Sequence, residues 1–516
     1  MIGRVKERDE LIRMYESAES EFVAVYGRRR VGKTYLIREV FADRFSFRHS
    51  GLACEGGAKQ LSQFLKSLQD FGCGQKRRPK DWSEAFSLLE QVVKASGHLR
   101  KVIFIDEMPW MDTPKSGFLV ALEAFWNDFC AYRKDVLLIV CGSAAAWMVK
   151  NLFSNRGGLH NRVTCRIRLL PFTLGECERY ARENGLAMSR RELAEAYMAL
   201  GGIPYYWHYL DKRFSLAQNL DRMFFVDDAP LANEFRELFA SLFKDASLHV
   251  AIVETLATKR IGMSQLELQS ALGMSSSGKL TEALATLDQS GFIRPYLPFG
   301  AKKKGTVYQL IDSFSLFHHR FLTGAAKGDP GFWTSTADSP QRATWLGLSF
   351  ELLCLQHVLQ IKRRLGISGL HCGVCSWRHL ADETYPVGVQ IDLLIDRADN
   401  VVNVCEMKYA RGLYVFDRKT REDLDNKIEA FRTVTKTRKS IHLTLVTANG
   451  LARTEHAHLS SRKRRWTTCS YADEKSRYLN SRQFALEFRR GGLIKSKTHD
   501  MVNPFDLKMN EETDAD

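Results

Sequence analysis

The feature that most constrains the fold is an apolar run followed at once by a glycine-rich loop, in residues 21–34. Residues 22–26 predict a buried parallel strand, and residues 35–41 predict the helix that follows the loop. The loop has the spacing GxxxxGK(S/T), in which glycines turn backbone N–H groups toward phosphates, lysine adds charge and threonine offers a hydroxyl to magnesium. The pattern predicts a nucleoside triphosphate site, with ATP and Mg²⁺ as cofactors. The predicted binding residues are Gly27, Arg28, Arg29, Arg30, Val31, Gly32, Lys33 and Thr34, of which Thr34 is also a metal ligand.

Length and charge set limits on the rest of the chain. At 516 residues it exceeds what one hydrophobic core usually holds, which predicts several domains. The formal net charge of +15 favours a polyanionic partner; DNA is the expected one, although acidic membrane surfaces attract the same charge. No apolar stretch is long enough to cross a bilayer, and the eleven scattered cysteines suit buried reduced thiols. We therefore expect a cytoplasmic protein without a membrane partner.

A second apolar run, residues 101–107, ends in two adjacent carboxylates. The carboxyl end of such a strand faces the nucleotide in a parallel sheet, so Asp106 is expected to hold magnesium. Glu107 is then placed to polarise the attacking water, because phosphoryl transfer requires one acid for the metal and one for the nucleophile. The alternative is a strand end that is acidic for structural reasons alone.

A third apolar run, residues 135–143, ends at a serine. Ser143 either senses the γ-phosphate and orients water, or merely caps a helix that begins at Ala144. The glycine-containing loop that follows carries Arg156 and Arg162, and an arginine there can reach a phosphate in its own chain or in a neighbouring subunit. Ser143 and Arg162 are therefore candidates for catalysis, and a homo-oligomer is an open alternative.

Taken in order, these motifs resemble those of the archaeal-type AAA-related ATPases of the STAND class over about residues 1–325. The stretches that carry the resemblance are Gly3, Arg4 and Glu7, the loop 27–34, residues 105–107, 141–143, 170–173 and 201–207, and Arg162. The resemblance implies an ATP-driven switch, in which Arg162 is the family's arginine and residues 202–204 lie in a helical lid.

Residues 246–312 show the i, i+3, i+4 spacing of three short helices, followed by a hairpin with a basic turn. This pattern resembles a winged helix-turn-helix. If the module reads DNA, the helix near Lys279 enters a groove, and Lys302, Lys303 and Lys304 contact phosphates. In STAND-type ATPases such a module also relays the nucleotide state between domains, and the sequence leaves both interpretations open.

The last third of the chain carries a second set of acidic residues. Residues 390–397 and 401–408 predict a β-hairpin, with Asp392 near the start of one strand and Glu406 and Lys408 near the end of the other. Residues two apart leave the same face of a strand, and antiparallel pairing brings Asp392 beside them. Two carboxylates on one patch repel unless a hard cation lies between them, and a lysine can orient water or offset phosphate charge. The hairpin therefore predicts a magnesium-dependent phosphodiesterase site.

This arrangement resembles the PD-(D/E)XK nuclease superfamily over about residues 338–455. The resemblance assigns Asp392, Glu406 and Lys408 to metal binding and catalysis, and it implies a further acidic ligand on a preceding helix. Glu351, on an otherwise apolar helix of residues 345–358, takes that place. The alternative is a fold that binds DNA or acts as a scaffold without cleavage.

Four potential zinc ligands lie within nine positions, namely His371, Cys372, Cys375 and His379. A closed zinc site usually has its ligand pairs separated by an intervening segment. This stretch instead predicts one extended strand whose alternate residues face opposite ways, so we assign no zinc to it.

The sequence as a whole predicts a multidomain α/β protein. Its expected parts are a P-loop ATPase core with a parallel sheet (1–180), a helical lid (181–240), a winged helix-turn-helix (241–325), a restriction-endonuclease-like α/β domain (338–460), and a mobile basic and acidic tail (461–516). The leading hypothesis is an ATPase that couples ATP binding or hydrolysis to metal-dependent DNA cleavage. The alternative is a regulatory ATP-binding switch that binds DNA or a protein partner without cutting.

Overall fold

A computed structural model describes residues 2–153, 159, 161–243, 245–275, 278–323, 329–452, 454 and 466–470. Within these residues the chain forms a parallel five-stranded sheet, a run of helices, a small three-stranded sheet with helices, and a second five-stranded sheet. None of the helices in these described ranges is long and apolar enough to cross a membrane.

The N-terminal part of the chain is a parallel sheet between two apolar clusters. Its strands and helices are β1 (Glu21–Tyr26), β2 (Phe45–Ser50), β3 (Lys101–Asp106), β4 (Val136–Gly142), β5 (Cys165–Arg168), α1 (Val5–Glu16), α2 (Lys33–Phe41), α3 (Gly57–Asp70), α4 (Trp82–Ala95), α5 (Phe118–Ala124) and α6 (Ala145–Met148). The strand order is β2-β3-β4-β1-β5, with every neighbouring pair parallel. All residues of β3 and β4 are buried because apolar side chains pack on both faces of the sheet. The three strands that the apolar runs predict are confirmed.

The strand order decides where the predicted nucleotide-binding elements meet. The glycine-rich loop follows β1, Asp106 ends β3, and Ser143 follows β4. These strands occupy consecutive positions β3-β4-β1 in the sheet. Because the carboxyl ends of parallel strands share one edge, the loop and the two polar residues converge there.

Five helices follow the sheet: α7 (Leu174–Glu183), α8 (Arg190–Leu200), α9 (Pro204–Trp207), α10 (Leu216–Phe224) and α11 (Glu234–Leu242). Capping boxes begin α7, α8 and α10, at Thr173, Ser189 and Ser215. The chain before α9 touches the end of the parallel-sheet region, where Phe172 N donates to Gly202 O at 2.6 Å. A Cβ at Gly202 would lie 1.9 Å from Phe172 O, so only glycine fits this crossing.

The next module consists of three helices, a small sheet and one further helix. Its elements are α12 (Ser247–Ala257), β6 (Met263–Ser264), α13 (Gln265–Ala271), α14 (Gly278–Gln289), β7 (Ile293–Tyr296), β8 (Val307–Leu310) and α15 (Ser313–Phe317). The sheet is antiparallel in the order β6-β8-β7. The three predicted helices and the predicted hairpin are confirmed, and β6 is an additional strand that the sequence did not indicate.

The C-terminal part of the chain is a mixed sheet with helices. Its elements are α16 (Phe332–Ser335), α17 (Pro340–Gln356), α18 (Val358–Arg364), β9 (Cys372–His379), β10 (Val389–Arg397), β11 (Val401–Lys408), α19 (Arg418–Thr435), β12 (Ser440–Thr447) and β13 (Trp466–Ser470). The order is β13-β12-β11-β10-β9, antiparallel from β9 to β11 and parallel from β11 to β13. The predicted hairpin is therefore present, and the histidine- and cysteine-containing stretch is the strand β9.

Alternate residues of the hairpin pack on opposite faces of this sheet. Leu393 and Cys405 belong to the apolar cluster that contains α17, whereas Leu394 and Val404 belong to the cluster that contains α19. The register between β10 and β9 shifts between Ile391 and Leu394, which is the position of Asp392. An irregularity of this kind changes the direction in which a side chain points from the strand.

One expectation for the C-terminal tail is wrong. Residues 461–516 were expected to be mobile, but Trp466–Ser470 form β13 and pair in parallel with β12. The strand escapes prediction because it is short and directly follows the basic run 461–465. The other residues of that tail lie outside the described residues.

Candidate functional site

The glycine-rich loop has the backbone conformation that its glycines make accessible. Gly27 and Gly32 have φ angles of 148° and 92°. A Cβ at Gly27 would lie 2.3 Å from Leu169 O, so the loop passes too close to this backbone for any side chain. Lys33, at the start of α2, is buried, and its Nζ donates to the carbonyl oxygens of Gly27 and Arg28, each at 3.0 Å. Lys33 therefore holds its charge inside the curve of the loop, as a phosphate cradle requires.

Thr34 and Asp106 meet at the carboxyl edge of the sheet. Thr34 Oγ1 donates to Asp106 Oδ2 at 2.7 Å, and Asp106 Oδ1 accepts from the Glu107 backbone N–H at 2.9 Å. A hydroxyl and a carboxylate oxygen at this separation form a donor set that fits Mg²⁺, which binds a nucleotide site through one or two protein oxygens, phosphates and water. The sequence prediction that Thr34 and Asp106 act together is consistent with this geometry.

Glu107 is held in place by Ser143. Its Oε2 accepts from the Ser143 hydroxyl at 2.8 Å and from the Ser143 backbone N–H at 3.1 Å. Glu107 also has a φ of 46°, a left-handed conformation that a non-glycine residue adopts at a cost. The capping alternative for Ser143 is wrong: α6 begins at Ala145, and no side chain caps it. Ser143 instead orients the acid that follows Asp106.

Arg162, a candidate arginine after β4, does not contact this site. Arg162 is exposed in the turn before β5, where its backbone N–H donates to Leu159 O at 3.1 Å. No contact in the described part of the chain joins its side chain to the glycine-rich loop. Arg156 lies outside the described residues.

The arginines within the loop have different partners from those predicted. Arg28 is buried and forms an ion pair with Asp312, the residue before α15, with Nη2 at 3.2 Å from Oδ2. Arg30 pairs with Glu234 at the start of α11. These two side chains therefore connect the loop to later modules, although Arg28 and Arg30 were predicted to bind nucleotide. Of the neighbouring loop residues, Arg29 is half-buried and Val31 is buried.

The second set of acidic residues is divided between two groups of basic side chains. Arg260, from the segment between α12 and β6, lies between Glu351 on α17 and Asp392 on β10. Its Nη2 donates to Asp392 Oδ1 at 2.8 Å, and its Nη1 lies 2.8 Å from Glu351 Oε2. Glu406 instead pairs with Lys408 Nζ at 2.8 Å and with Lys427 Nζ at 3.1 Å.

These environments shift the pKa values of Glu351 and Glu406 in opposite directions. Burial, assisted by the nearby Asp392, raises the pKa of Glu351 to about 7, and Arg260 opposes that rise. Burial also acts to raise the pKa of Glu406, but Lys427 and Lys408 outweigh it and the net shift is downward. Glu406 is therefore a stable carboxylate, whereas Glu351 is easily protonated.

The fit of a divalent cation to this second site depends on Arg260. Glu351 Oε2 is buried and accepts no hydrogen bond in the described structure, even though Arg260 is near it. An oxygen in that position suits a metal ligand. In the described residues, however, no group of three or more His, Cys, Asp or Glu side chains is placed to hold a metal. Glu351, Asp392 and Glu406 were predicted as one set. Arg260 contacts only the first two, and Glu406 acts on the pKa of Glu351 through its charge. Arg260 and Lys427 were not predicted, because neither belongs to a recognisable motif.

Comparison with known proteins identifies the first part of the chain. Residues 1–210 match the family model described as an ATPase domain predominantly from Archaea. These residues are an archaeal-type P-loop ATPase domain. Over 393 residues the chain is 24% identical to the uncharacterised protein MJECL04 of Methanocaldococcus jannaschii. The alignment covers 74% of this chain and 82% of that protein. That alignment is longer than the 210 residues of the family match, so the similarity extends beyond the ATPase domain.

Two solved structures are similar at low sequence identity. The Walker-type ATPase PABY2304 of Pyrococcus abyssi is 18% identical, with coverage of 62% of this chain and 96% of that chain and a TM-score of 0.45. The ORC2 protein of Aeropyrum pernix is 13% identical, with coverage of 69% and 95% and a TM-score of 0.38.

Proposed function

We propose that this protein is an ATP-driven switch whose ATPase domain controls a metal-dependent DNA-cleaving site in the C-terminal module. The single observation that carries the cleavage part is the convergence of Glu351 and Asp392. These acids come from a helix and from a strand distant in sequence, and the adjacent strand β11 carries Glu406 and Lys408. The element order from α17 to β13 supports the resemblance to the PD-(D/E)XK superfamily that the sequence suggested.

The ATPase half rests on the geometry around the glycine-rich loop. Backbone N–H groups of residues 27–34 and the Lys33 ammonium bind the triphosphate. Thr34 and Asp106 hold the magnesium ion, which when bound neutralises charge on the β- and γ-phosphates. Glu107, oriented by Ser143, accepts a hydrogen bond from the attacking water and takes its proton. Phosphate binding, metal binding and activation of water are thus assigned to different residues at the carboxyl edge of the parallel sheet.

In the C-terminal half, Glu351 and Asp392 bind the cation once the positive charge between them is displaced. A divalent cation bound there would polarise the scissile phosphate and lower the pKa of a water molecule. Lys408 lies beside Glu406, where its ammonium can position that water or offset charge on the phosphate. The buried carboxylate of Glu406 keeps Lys408 protonated, because it raises the pKa of the lysine against the opposing effect of burial.

DNA is the proposed substrate because positive charge is exposed on the module of residues 246–312. Lys279 at the start of α14 and Lys302 and Lys304 between β7 and β8 are exposed. The helices and the antiparallel sheet of this module support its interpretation as a winged helix-turn-helix. The side chain of Lys303 lies outside the described residues.

A specific observation favours a second candidate, a switch that does not cleave. All three acids of the C-terminal site are already paired with cations of the chain: Arg260 with Glu351 and Asp392, and two lysines with Glu406. A permanent arrangement of this kind excludes a metal ion. The module then binds DNA or a protein partner in response to ATP.

Cleavage assays with matched variants distinguish the two candidates. Purified protein is incubated with plasmid and with single-stranded DNA, in Mg²⁺ or Mn²⁺, with and without ATP. Asp392→Ala is compared with Asp399→Ala, a control in the exposed turn after β10. Lys33→Ala is compared with Lys66→Ala, an exposed lysine on α3.

Cleavage that is lost in Asp392→Ala and kept in Asp399→Ala establishes the nuclease. Coupling is established if ATP changes this cleavage, or if Lys33→Ala also abolishes it while Lys66→Ala does not. ATP hydrolysis without any cleavage supports the non-cleaving switch. Cleavage that persists in Asp392→Ala refutes the assignment of the site.

A further inference from the structure

The carboxylates of the C-terminal site are bridged by an arginine from a different module. Arg260 lies in the segment between α12 and β6, and it is 132 residues away from Asp392 in the sequence. Its guanidinium contacts Asp392 Oδ1 and Glu351 Oε2, each at 2.8 Å. Those are the oxygens with which a cation between the two acids would bond. A guanidinium and a divalent cation cannot occupy the same position, since both are positive and both need these oxygens.

The side chain has room to leave this position. A cavity of about 460 Å³ borders Arg260, Glu351 and Asp392 and is also lined by Arg320. The Arg260 side chain is 37% exposed, whereas those of Glu351 and Asp392 are 18% and 20% exposed. Rotation of the arginine into the cavity or solvent would remove its charge from both acids without any change in the sheet that carries Asp392. Gln390 Nε2 would still donate to Asp392 Oδ1.

The backbone of Arg260 is tied to β8. Gln309 Nε2 donates to Arg260 O at 2.8 Å, and Gln309 Oε1 accepts from Arg294 Nε at 2.8 Å. Two residues after Arg260, Gly262 has a φ of 88°, and a Cβ there would lie 2.2 Å from Tyr308 O. The segment that presents Arg260 therefore follows any movement of β8.

Strand β8 is also tied to the nucleotide site. Asp312 lies three residues after Gln309 and forms the buried ion pair with Arg28 of the glycine-rich loop. Asp312 also accepts from Ser315 N–H at 2.9 Å at the start of α15. A continuous set of contacts, completed by the chain from Gln309 to Asp312, thus runs from Arg28 through Asp312 and Gln309 to Arg260. A shift of the loop on nucleotide binding would act directly on the Arg28–Asp312 pair, because Arg28 belongs to the loop.

We propose that Arg260 is a latch that closes the acidic site, and that β8 connects the latch to the glycine-rich loop through the Asp312–Arg28 pair. This inference rests on the proposed function in one respect, that Glu351 and Asp392 bind a divalent cation. The latch keeps the metal site shut until the segment that contains Arg260 moves. It gives the ATPase domain physical control over the C-terminal site.

The latch is tested by metal binding to the full chain, with no nucleotide and no activity measurement. Mn²⁺ binding is followed by electron paramagnetic resonance in the wild type, Arg260→Ala, Arg260→Gln, Asp392→Asn and Arg260→Ala/Asp392→Asn. Arg320→Ala, which removes another arginine from the same cavity, is the matched control. Arg260→Gln keeps a polar, uncharged and shorter side chain, so the test can still be made if the alanine variant does not fold.

Loss of the latch should tighten Mn²⁺ binding by about tenfold, the effect expected when two partly exposed ion pairs no longer compete with the metal. The tighter Mn²⁺ binding should appear in Arg260→Ala and Arg260→Gln. It should be absent in Arg320→Ala and in the double variant Arg260→Ala/Asp392→Asn. If Arg260 variants bind Mn²⁺ like the wild type, while Asp392→Asn weakens binding, the latch is refuted and the metal site survives. If no variant differs and Asp392→Asn has no effect, the metal site of the proposed function is refuted as well.

The connection to the loop has a separate test. Mn²⁺ binding that depends on Asp392 is measured with and without a non-hydrolysable ATP analogue, by subtraction of an Asp392→Asn sample. The analogue should change this binding in the wild type and not in Asp312→Asn or Arg260→Ala, since each variant interrupts the set of contacts. By thermodynamic linkage Mn²⁺ must change the affinity for the analogue by the same factor. An unchanged response in Asp312→Asn refutes the connection through β8.

Discussion

Replacement of Asp312 by alanine should strongly destabilise the protein, because it leaves the Arg28 guanidinium buried without a counter-ion. The side chains of Arg28 and Asp312 are only 4% and 3% exposed. Removal of one member of such a pair costs about 3–5 kcal/mol, and loss of the cap on Ser315 N–H at the start of α15 adds about 1 kcal/mol. At about 2–4 °C per kcal/mol for a domain of roughly 150–250 residues, the melting temperature should fall by about 8–24 °C.

Differential scanning calorimetry of the full chain measures this effect. Because a chain of several modules does not unfold in one step, the transition to follow is the one that ATP shifts upward. Asp312→Asn keeps an acceptor for the cap on α15, so its melting temperature should fall less than that of Asp312→Ala. The double variant Arg28→Met/Asp312→Ala should regain much of the loss, since it no longer buries a lone charge. A melting temperature for Asp312→Ala within about 2 °C of wild type would refute the reasoning, and so would a double variant no more stable than the single one.

Three further outcomes follow from other contacts. Ser143→Ala removes a hydroxyl that donates to Glu107 at 2.8 Å, so kcat for ATP should fall by about tenfold with little change in KM, in a steady-state assay. Burial lowers the pKa of His49 to about 4, so the unfolded state binds the proton first as pH falls. The unfolding free energy should drop by about 3 kcal/mol from pH 7 to pH 4 relative to His49→Asn, measured by denaturant titration. Gly202→Ala places a Cβ 1.9 Å from a carbonyl oxygen, so it should lower the unfolding free energy by about 2 kcal/mol or more and the melting temperature by several degrees. Gly175→Ala has open space around it and should not lower them.

The N-terminal half of the fold could be read from the sequence because its signals are local. Strands buried on both faces appear as continuous apolar runs, and the spacing of glycines, lysine and threonine marks the loop between β1 and α2. Parallel topology then brings Thr34, Asp106 and Glu107 to one edge without further information. The helices of residues 246–289 and the two hairpins of the later modules followed from periodicity in the same way, whereas the short strands β6 and β13 did not.

The contacts that join the modules could not be read in this way. Arg28 and Asp312 are separated by 284 residues, and Arg260 and Asp392 by 132. An ion pair of this kind leaves no periodic pattern in either partner, and an arginine in a phosphate-binding loop is naturally interpreted as a phosphate ligand. In the C-terminal site, strand alternation and pairing grouped Asp392 with Glu406, and the resemblance to the nuclease superfamily added Glu351. Neither shows which basic side chains from elsewhere will pair with these acids.

The module of residues 246–312 contacts both sites, and this limits how the proposed DNA binding could occur. Its helix α14, which would enter a DNA groove, packs against α6 of the ATPase domain. At the C-terminal end of the helix, Arg168 Nη2 donates to Gln289 O at 3.2 Å. Lys279, near the N-terminal end of α14, is exposed. A groove contact deep along α14 would require the module to leave the ATPase domain, and that movement would carry β8 and Arg260 with it. DNA binding along this helix and release of the acidic site would therefore be one event, so the relay and DNA-reading interpretations do not exclude each other.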